Sequence, residues 1–180
     1  MSRVQRNEFG EFTLDPPVWL EQLRRQHPEL VAQEKLIWRQ SMPDNYAMVP
    51  DIIESKLRVI RPAREHALLV YRRRDGKGLF FDTRFKSRLS ATGNYDRIDF
   101  PRSGLPNIPG HDLIIVEHTH PVAYGWATGH SSSYVRGPSD ADQRLARLRP
   151  DILYVIQALS PVKPSLQWFY YGPLALGRSG

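Results

Sequence analysis

The alternation of apolar and polar residues divides the chain into a helical first part and a strand-rich second part. Apolar residues at helical spacing predict one helix over residues 18–27 and a second from Pro28 to about Arg39. The triplet Asp15-Pro16-Pro17 is typical of a helix start, with Asp15 as the N-cap. Residues 1–15 carry no clear pattern and are expected to be irregular.

Shorter apolar runs bounded by turn residues predict a sheet in the rest of the chain. Strands are predicted over residues 66–74, 78–85, 112–120, 151–159 and 166–172, and helices from Asp51 to Pro62 and over residues 139–149. The expected fold class is α/β, with a mixed central β-sheet flanked by helices. The Pro- and Asn-containing segment 41–51 is taken as the border between an N-terminal helical extension (1–50) and the main domain (51–180).

The strand predicted at 112–120 ends in two histidines. Side chains two apart on a strand share a face. Alternation therefore places Ile114, Val116, His118 and His120 on one face, and Leu113, Ile115, Glu117 and Thr119 on the other. Both faces begin apolar, which is typical of an interior strand. His118 and His120 could thus bind one metal ion together, or be two unrelated polar residues at a strand end.

Composition restricts the chemistry that such a site could use. Hydrophobic residues make up 41% of the chain and charged residues 24%, which allows a packed core, and there are no cysteines. Disulfides and thiolate ligands are therefore excluded, and a His/Asp/Glu metal site suits catalytic zinc better than structural zinc. The N-terminal residues contain no apolar h-region and the longest apolar runs are four or five residues, so neither a signal peptide nor a membrane span is expected. We expect a cytoplasmic protein without a membrane partner, with signal-less export left open.

The net charge of +6 comes mainly from arginine, including the run Arg72-Arg73-Arg74. Such a charge is compatible with a nucleic-acid partner. No nucleic-acid motif accompanies it, however, and Asp75-Gly76 directly after the run indicates a turn. A solvated hairpin tip is the favoured interpretation.

A second polar pattern follows the histidines. Ser139-x-x-Asp142 at a predicted helix start is, taken alone, close to a capping box. Together with His118-Thr119-His120-Pro121, however, it resembles the JAMM motif of MPN-type zinc peptidases, H-[ST]-H-P followed by S-x-x-D. The resemblance implies a cytidine-deaminase-like MPN fold, zinc bound by His118, His120 and Asp142, and Ser139 as a helper at the transition state. The loop over residues 121–138 is more than twice as long as is usual in that family.

The family also uses an upstream glutamate as the base, at a junction between a helix and an apolar strand. Glu65, before the strand "HALLVY", matches this context and is the first choice, with Glu54 as the alternative. Glu117 is rejected because it faces away from both histidines.

The resemblance implies a zinc-dependent hydrolase that cleaves peptide or isopeptide bonds, often beside ubiquitin-like proteins. Some bacterial relatives are JAB-like toxin or effector domains. Tyr124 and Trp126 in the long loop are candidate substrate contacts, and His130 is a candidate for either an extra ligand or a substrate contact. Two alternatives remain: a non-catalytic MPN-like binding module and a basic nucleic-acid-binding protein.

Overall fold

The computed structural model describes residues 3–41, 65–87, 98, 100–101, 104–120, 137–159 and 166–178. These residues form seven strands and three helices. The elements are β1 (Val4–Asn7), β2 (Gly10–Thr13), α1 (Val18–Gln26), α2 (Pro28–Ser41), β3 (Ala67–Arg73), β4 (Leu79–Asp82), β5 (His111–His120), α3 (Asp140–Leu148), β6 (Leu153–Leu159) and β7 (Leu166–Tyr171). The predicted helix from Asp51 lies outside the described residues.

All seven strands belong to one mixed sheet with the order β1-β2-β7-β6-β5-β3-β4. The pair β5–β6 is parallel and the remaining pairs are antiparallel. The predicted α/β class with one central mixed sheet is confirmed. Strand β5 lies between β3 and β6, as its two apolar faces indicate.

Helices cover both faces of the sheet. Leu20 of α1 and Leu30 of α2 pack with Ile115 on one face. Ala146 of α3 packs with Val116 on the other face. The sheet is therefore the middle layer of three, and β5 contributes alternate side chains to both cores.

The alternation predicted for β5 holds from Ile115 to His120 but not before it. Val70 of β3 pairs with Ile115 and Tyr71 pairs with Leu113, so Ile114 has no opposite residue. Such a one-residue bulge reverses the alternation on its far side. Ile114 consequently packs with the α1–α2 core and Leu113 with the α3 core, and the faces predicted for these two residues were wrong.

The expectation that residues 1–15 are irregular is wrong. Strands β1 and β2 form a hairpin, and Phe12 and Thr13 of β2 pair with β7 and extend the sheet. The N-cap prediction is also wrong: the N-cap of α1 is Pro17, with no side-chain cap, and the Asp15 N–H donates to Thr13 Oγ1. The domain division near residue 50 falls outside the described residues and stays a prediction.

The arginine run lies at the predicted hairpin tip. Arg73 pairs with Asp75 at 2.6 Å, and Arg74 pairs with Asp112 at 3.1 Å, both at exposed positions. Ion pairs of this exposed kind contribute little to stability. They fit the favoured interpretation of a solvated face. None of the helices in the described part of the chain has the length and apolarity needed to cross a bilayer.

Candidate metal centre

Both histidines lie at the end of strand β5, on the face of the sheet that packs against α3. His118 and His120 are buried, and their Nε2 atoms lie 3.0 Å apart. The site lies where the chain leaves the carboxyl end of a strand that is parallel to its neighbour β6. Ligand sites in open α/β sheets characteristically lie at this place. The i, i+2 spacing therefore brings two imidazole nitrogens to one point.

Helix α3 brings a carboxylate to the same point. Asp142 Oδ1 lies 3.3 Å from His118 Nε2, and Asp142 Oδ2 lies 3.4 Å from His120 Nε2. Burial alone would raise the pKa of Asp142. The two imidazoles, His118 first, outweigh burial and hold the pKa of this carboxyl well below its usual range. The carboxyl of Asp142 is therefore ionised near neutral pH, which is the form that binds a cation.

The cap of α3 fixes the direction of that carboxylate. The Ser139 N–H donates to Asp142 Oδ2 at 2.8 Å, and the Asp142 N–H donates to Ser139 Oγ at 3.2 Å. This is the capping box predicted as the alternative interpretation. The two interpretations are compatible, because Asp142 also approaches both histidines. The Ser139 hydroxyl, which accepts this one hydrogen bond, can still donate its own proton.

Glu65 is the fourth polar side chain at this place. It lies just before β3, is buried, and has Oε1 3.9 Å from His120 Nε2. Burial raises the pKa of Glu65, and the two imidazoles, with a hydrogen bond from the Ile98 N–H, only partly oppose this rise. Its backbone is held by reciprocal hydrogen bonds with Ser87 at 3.0 and 2.9 Å. A carboxyl with a raised pKa is closer to the value that a base operating near neutral pH requires.

His118, His120 and Asp142 each offer one ligand atom, and these three atoms lie within 4.8 Å of one another. Ligand atoms bound at about 2.0–2.1 Å in a tetrahedral zinc site lie roughly 3.3 Å from one another. The two Nε2 atoms are 3.0 Å apart, and each histidine approaches a different oxygen of Asp142, His118 at 3.3 Å from Oδ1 and His120 at 3.4 Å from Oδ2. Glu65 lies farther back, with Oε1 3.9 Å from His120 Nε2, and does not belong to this group of three ligands. The group could therefore hold a metal ion with three protein ligands.

The face of β5 behind the histidines contains features that the sequence did not reveal. Thr119 is fully buried between the two histidines in sequence. Its Oγ1 accepts from the His66 N–H at 3.0 Å and contacts Ser41 Oγ of α2. Ser41 Oγ also donates to the Ile37 carbonyl at 2.7 Å, and Thr119 Oγ1 lies 3.5 Å from the His66 carbonyl, to which it donates. Thr119 thereby ties the backbone beside Glu65 to the strand that carries the histidines.

Glu117 points away from the metal centre, as predicted. Burial raises its pKa well above the usual range, and the nearby Glu34 carboxyl reinforces this rise. Arg24 binds Glu34 through two hydrogen bonds of 3.0 and 2.8 Å. Thr119 and Glu117 lie on a buried face of an interior strand, so the sequence indicates that they have polar partners there. It does not indicate which residues those partners are.

The structure brings together His118, His120, Asp142 and Glu65, and Ser139 joins them through its cap hydrogen bonds with Asp142. The remaining candidates, Glu54, Tyr124, Trp126 and His130, lie outside the described residues. Comparison of the chain with protein-family models, with curated proteins and with solved structures finds no match. A function for the chain therefore has to be argued from the geometry of this centre.

Proposed function

We propose that this protein is a zinc-dependent hydrolase of the JAMM, MPN-type kind that cleaves a peptide or isopeptide bond in a protein substrate. The observation that carries the proposal is the convergence of four buried or nearly buried groups from three separate elements. His118 and His120 come from β5, Asp142 comes from α3, and Glu65 precedes β3. These are the residues that the JAMM-like pattern names.

The set of ligands favours catalysis over a structural metal. Structural zinc sites are closed by four protein ligands, whereas catalytic sites keep one position open. The described residues supply three ligand side chains within reach of one another. Glu65 is set back by 3.9 Å from His120, where it suits a role beside the open position.

Each residue then has a definite task. His118, His120 and Asp142 would hold the zinc ion, which would supply the Lewis acidity that lowers the pKa of a water molecule to about 7. Glu65 accepts the proton of the attacking water and passes it to the leaving amine. Ser139 donates a hydrogen bond to the developing oxyanion, a contribution typically worth about 3–4 kcal/mol of barrier. Asp142 is held on its cap, so its carboxylate keeps one orientation during the cycle.

The first test is metal content after purification without chelators. We expect one zinc per chain in the wild type and none in a His118→Ala/His120→Ala double variant. A metal-free wild type that also takes up no zinc on titration would overturn the proposal.

The second test separates metal binding from chemistry. Glu65→Gln keeps the size of the side chain but cannot accept a proton, so we expect full zinc content and a 10²–10⁴-fold lower rate of hydrolysis. The matched control is Glu54→Gln, the same change at the alternative base. The assay uses fluorogenic peptides and ubiquitin-like isopeptide conjugates, and the inactive variant also serves as a trap for its substrate. Loss of activity in Glu54→Gln alone would assign the base to Glu54.

A further inference from the structure

The N-terminal hairpin of β1 and β2 holds the cap of α3 from both sides. Asn7 Nδ2 donates to the Pro138 carbonyl at 2.9 Å, directly before the N-cap Ser139. Gln143 Nε2 donates to the Glu11 carbonyl at 3.0 Å, directly after Asp142. Two hydrogen bonds to residues more than a hundred positions away thus bracket the segment that carries the third metal ligand.

Two glycines lie at this contact. Gly137 has a positive φ of 118°, and a Cβ there would lie 3.2 Å from the Phe12 ring. A Cβ at Gly10 would lie 3.0 Å from Gln143 Nε2. Both glycines have a positive φ, and the backbone of each lies against a side chain of the other segment, Gly137 against Phe12 and Gly10 against Gln143.

We infer that Asn7 and Gln143 are positioning residues for the metal centre, which set the place of Asp142 relative to His118 and His120. The reason is geometric. The histidines are fixed by the register of β5 within the sheet, whereas Asp142 reaches them from a different element, after the segment 121–136. Asp142 must stay within about 3.4 Å of both imidazoles. The hairpin, itself paired to β7, supplies the connection from α3 to the sheet at the point nearest to that ligand.

This inference rests on the proposed metal site but not on the proposed hydrolysis. It also gives a task to the segment before α1, which the sequence left without one. The expected effect is on metal affinity, because residues that orient a ligand typically contribute about 10–100-fold to it.

Asn7→Asp is the sharpest probe. Asn7 Oδ1 accepts from the N–H groups of Phe9 and Gly10 at 2.9 and 3.1 Å, and an aspartate keeps both of these turn bonds. It loses only the donor to Pro138 and places a carboxylate against a carbonyl oxygen. The added negative charge alone would favour cation binding, so a loss of affinity cannot be a general charge effect. Asn107→Asp, the same change at an exposed loop position, is the matched control.

The full-length proteins are titrated with Zn²⁺ at a temperature at which their metal-free forms are folded, and the Co²⁺-loaded forms are compared by visible absorption. We expect about tenfold weaker zinc binding and an altered Co²⁺ spectrum for Asn7→Asp, and wild-type values for Asn107→Asp. Gln143→Met, which removes the other donor and keeps the side-chain length, should behave like Asn7→Asp and carries the test if Asn7→Asp unfolds.

Zinc affinity and Co²⁺ spectra that stay at wild-type values in Asn7→Asp and Gln143→Met would overturn the inference. So would a loss that disappears once the folded fraction is taken into account. A wild type that binds no metal overturns the site and this inference together. A wild type that binds zinc and hydrolyses nothing overturns the proposed hydrolysis alone.

Discussion

Asp142 and Asp140 allow the metal centre to be tested without a substrate. Both aspartates lie in the first turn of α3. The side chain of Asp142 is only 16% exposed and faces two imidazoles, whereas that of Asp140 is 55% exposed and pairs with Arg144. Asp→Asn at either position removes one carboxylate from the helix start. Only the change at position 142 removes a ligand, and its amide oxygen can still accept from Ser139 N–H.

The two substitutions should differ in one quantity, the stabilisation by zinc. Losing a carboxylate near a helix N-terminus costs about 0.3–1 kcal/mol. At free zinc a hundredfold above its Kd, binding to the folded state adds about 2.7 kcal/mol to the free energy of unfolding. That corresponds to a rise in Tm of roughly 5–11 °C for a chain of this size. A variant that binds a hundredfold more weakly keeps about 0.4 kcal/mol at the same zinc concentration.

Thermal unfolding with EDTA and then with zinc measures this difference. We expect both variants to melt within a few degrees of the wild type in EDTA. Zinc should raise the Tm of Asp140→Asn as much as that of the wild type, and that of Asp142→Asn by about 1 °C. If zinc raises the Tm of the two variants by the same amount, whether large or small, the assignment of Asp142 as a ligand is refuted.

Two further predictions concern the residues around the ligands. Ser139→Ala should lower the free energy of unfolding by about 1 kcal/mol and Ser139→Gly by only a few tenths, because glycine is tolerated at an N-cap. Both variants should lose the same amount of hydrolytic activity, about 10²–10³-fold, whereas Ser139→Thr should keep it. If activity instead falls in proportion to stability, Ser139 acts only as the helix cap. Thr119→Val should cost about 2–4 kcal/mol in denaturant unfolding, because it deprives His66 N–H and the buried Ser41 hydroxyl of a partner. Thr119→Ser should restore most of that loss, and a valine variant as stable as the wild type would contradict the bonding seen at this position.

Local pattern was enough to predict the strand that carries the histidines. Two apolar faces indicate an interior position whatever the neighbouring strands are, and the end of the run indicates where the polar groups emerge. The bulge at Ile114 could not be predicted in the same way. It exists because β3 pairs with β5 in two registers on either side of Val70 and Tyr71, a property of the pair and not of either strand.

The N-terminal hairpin was missed because little in its own residues requires a strand. Residues 4–7 are mostly polar and largely exposed, so they give no amphipathic pattern. Phe12 is the buried residue that anchors the hairpin in the core, and its partner strand β7 lies more than 150 residues later in the chain. Strand formation here depends on tertiary pairing, which outweighs weak local preference. The only local signs were Asn7 and Gly10, which bound the turn.

The length of the segment between His120 and Ser139 was the main obstacle to predicting the site, and the structure explains why this length need not disturb it. Among the described residues, α3 and the last residues of that segment are held by contacts with the sheet and with the N-terminal hairpin. On one side, the Tyr154 hydroxyl donates to carbonyls at the end of α3, and Ala146 packs into the core beneath the sheet. On the other side, the hairpin holds Pro138 and Gln143. Because loop closure costs grow slowly with length, a helix docked in this way can accept a long connection at low cost. The position of the third ligand is therefore a property of how α3 docks, which sequence spacing alone does not encode.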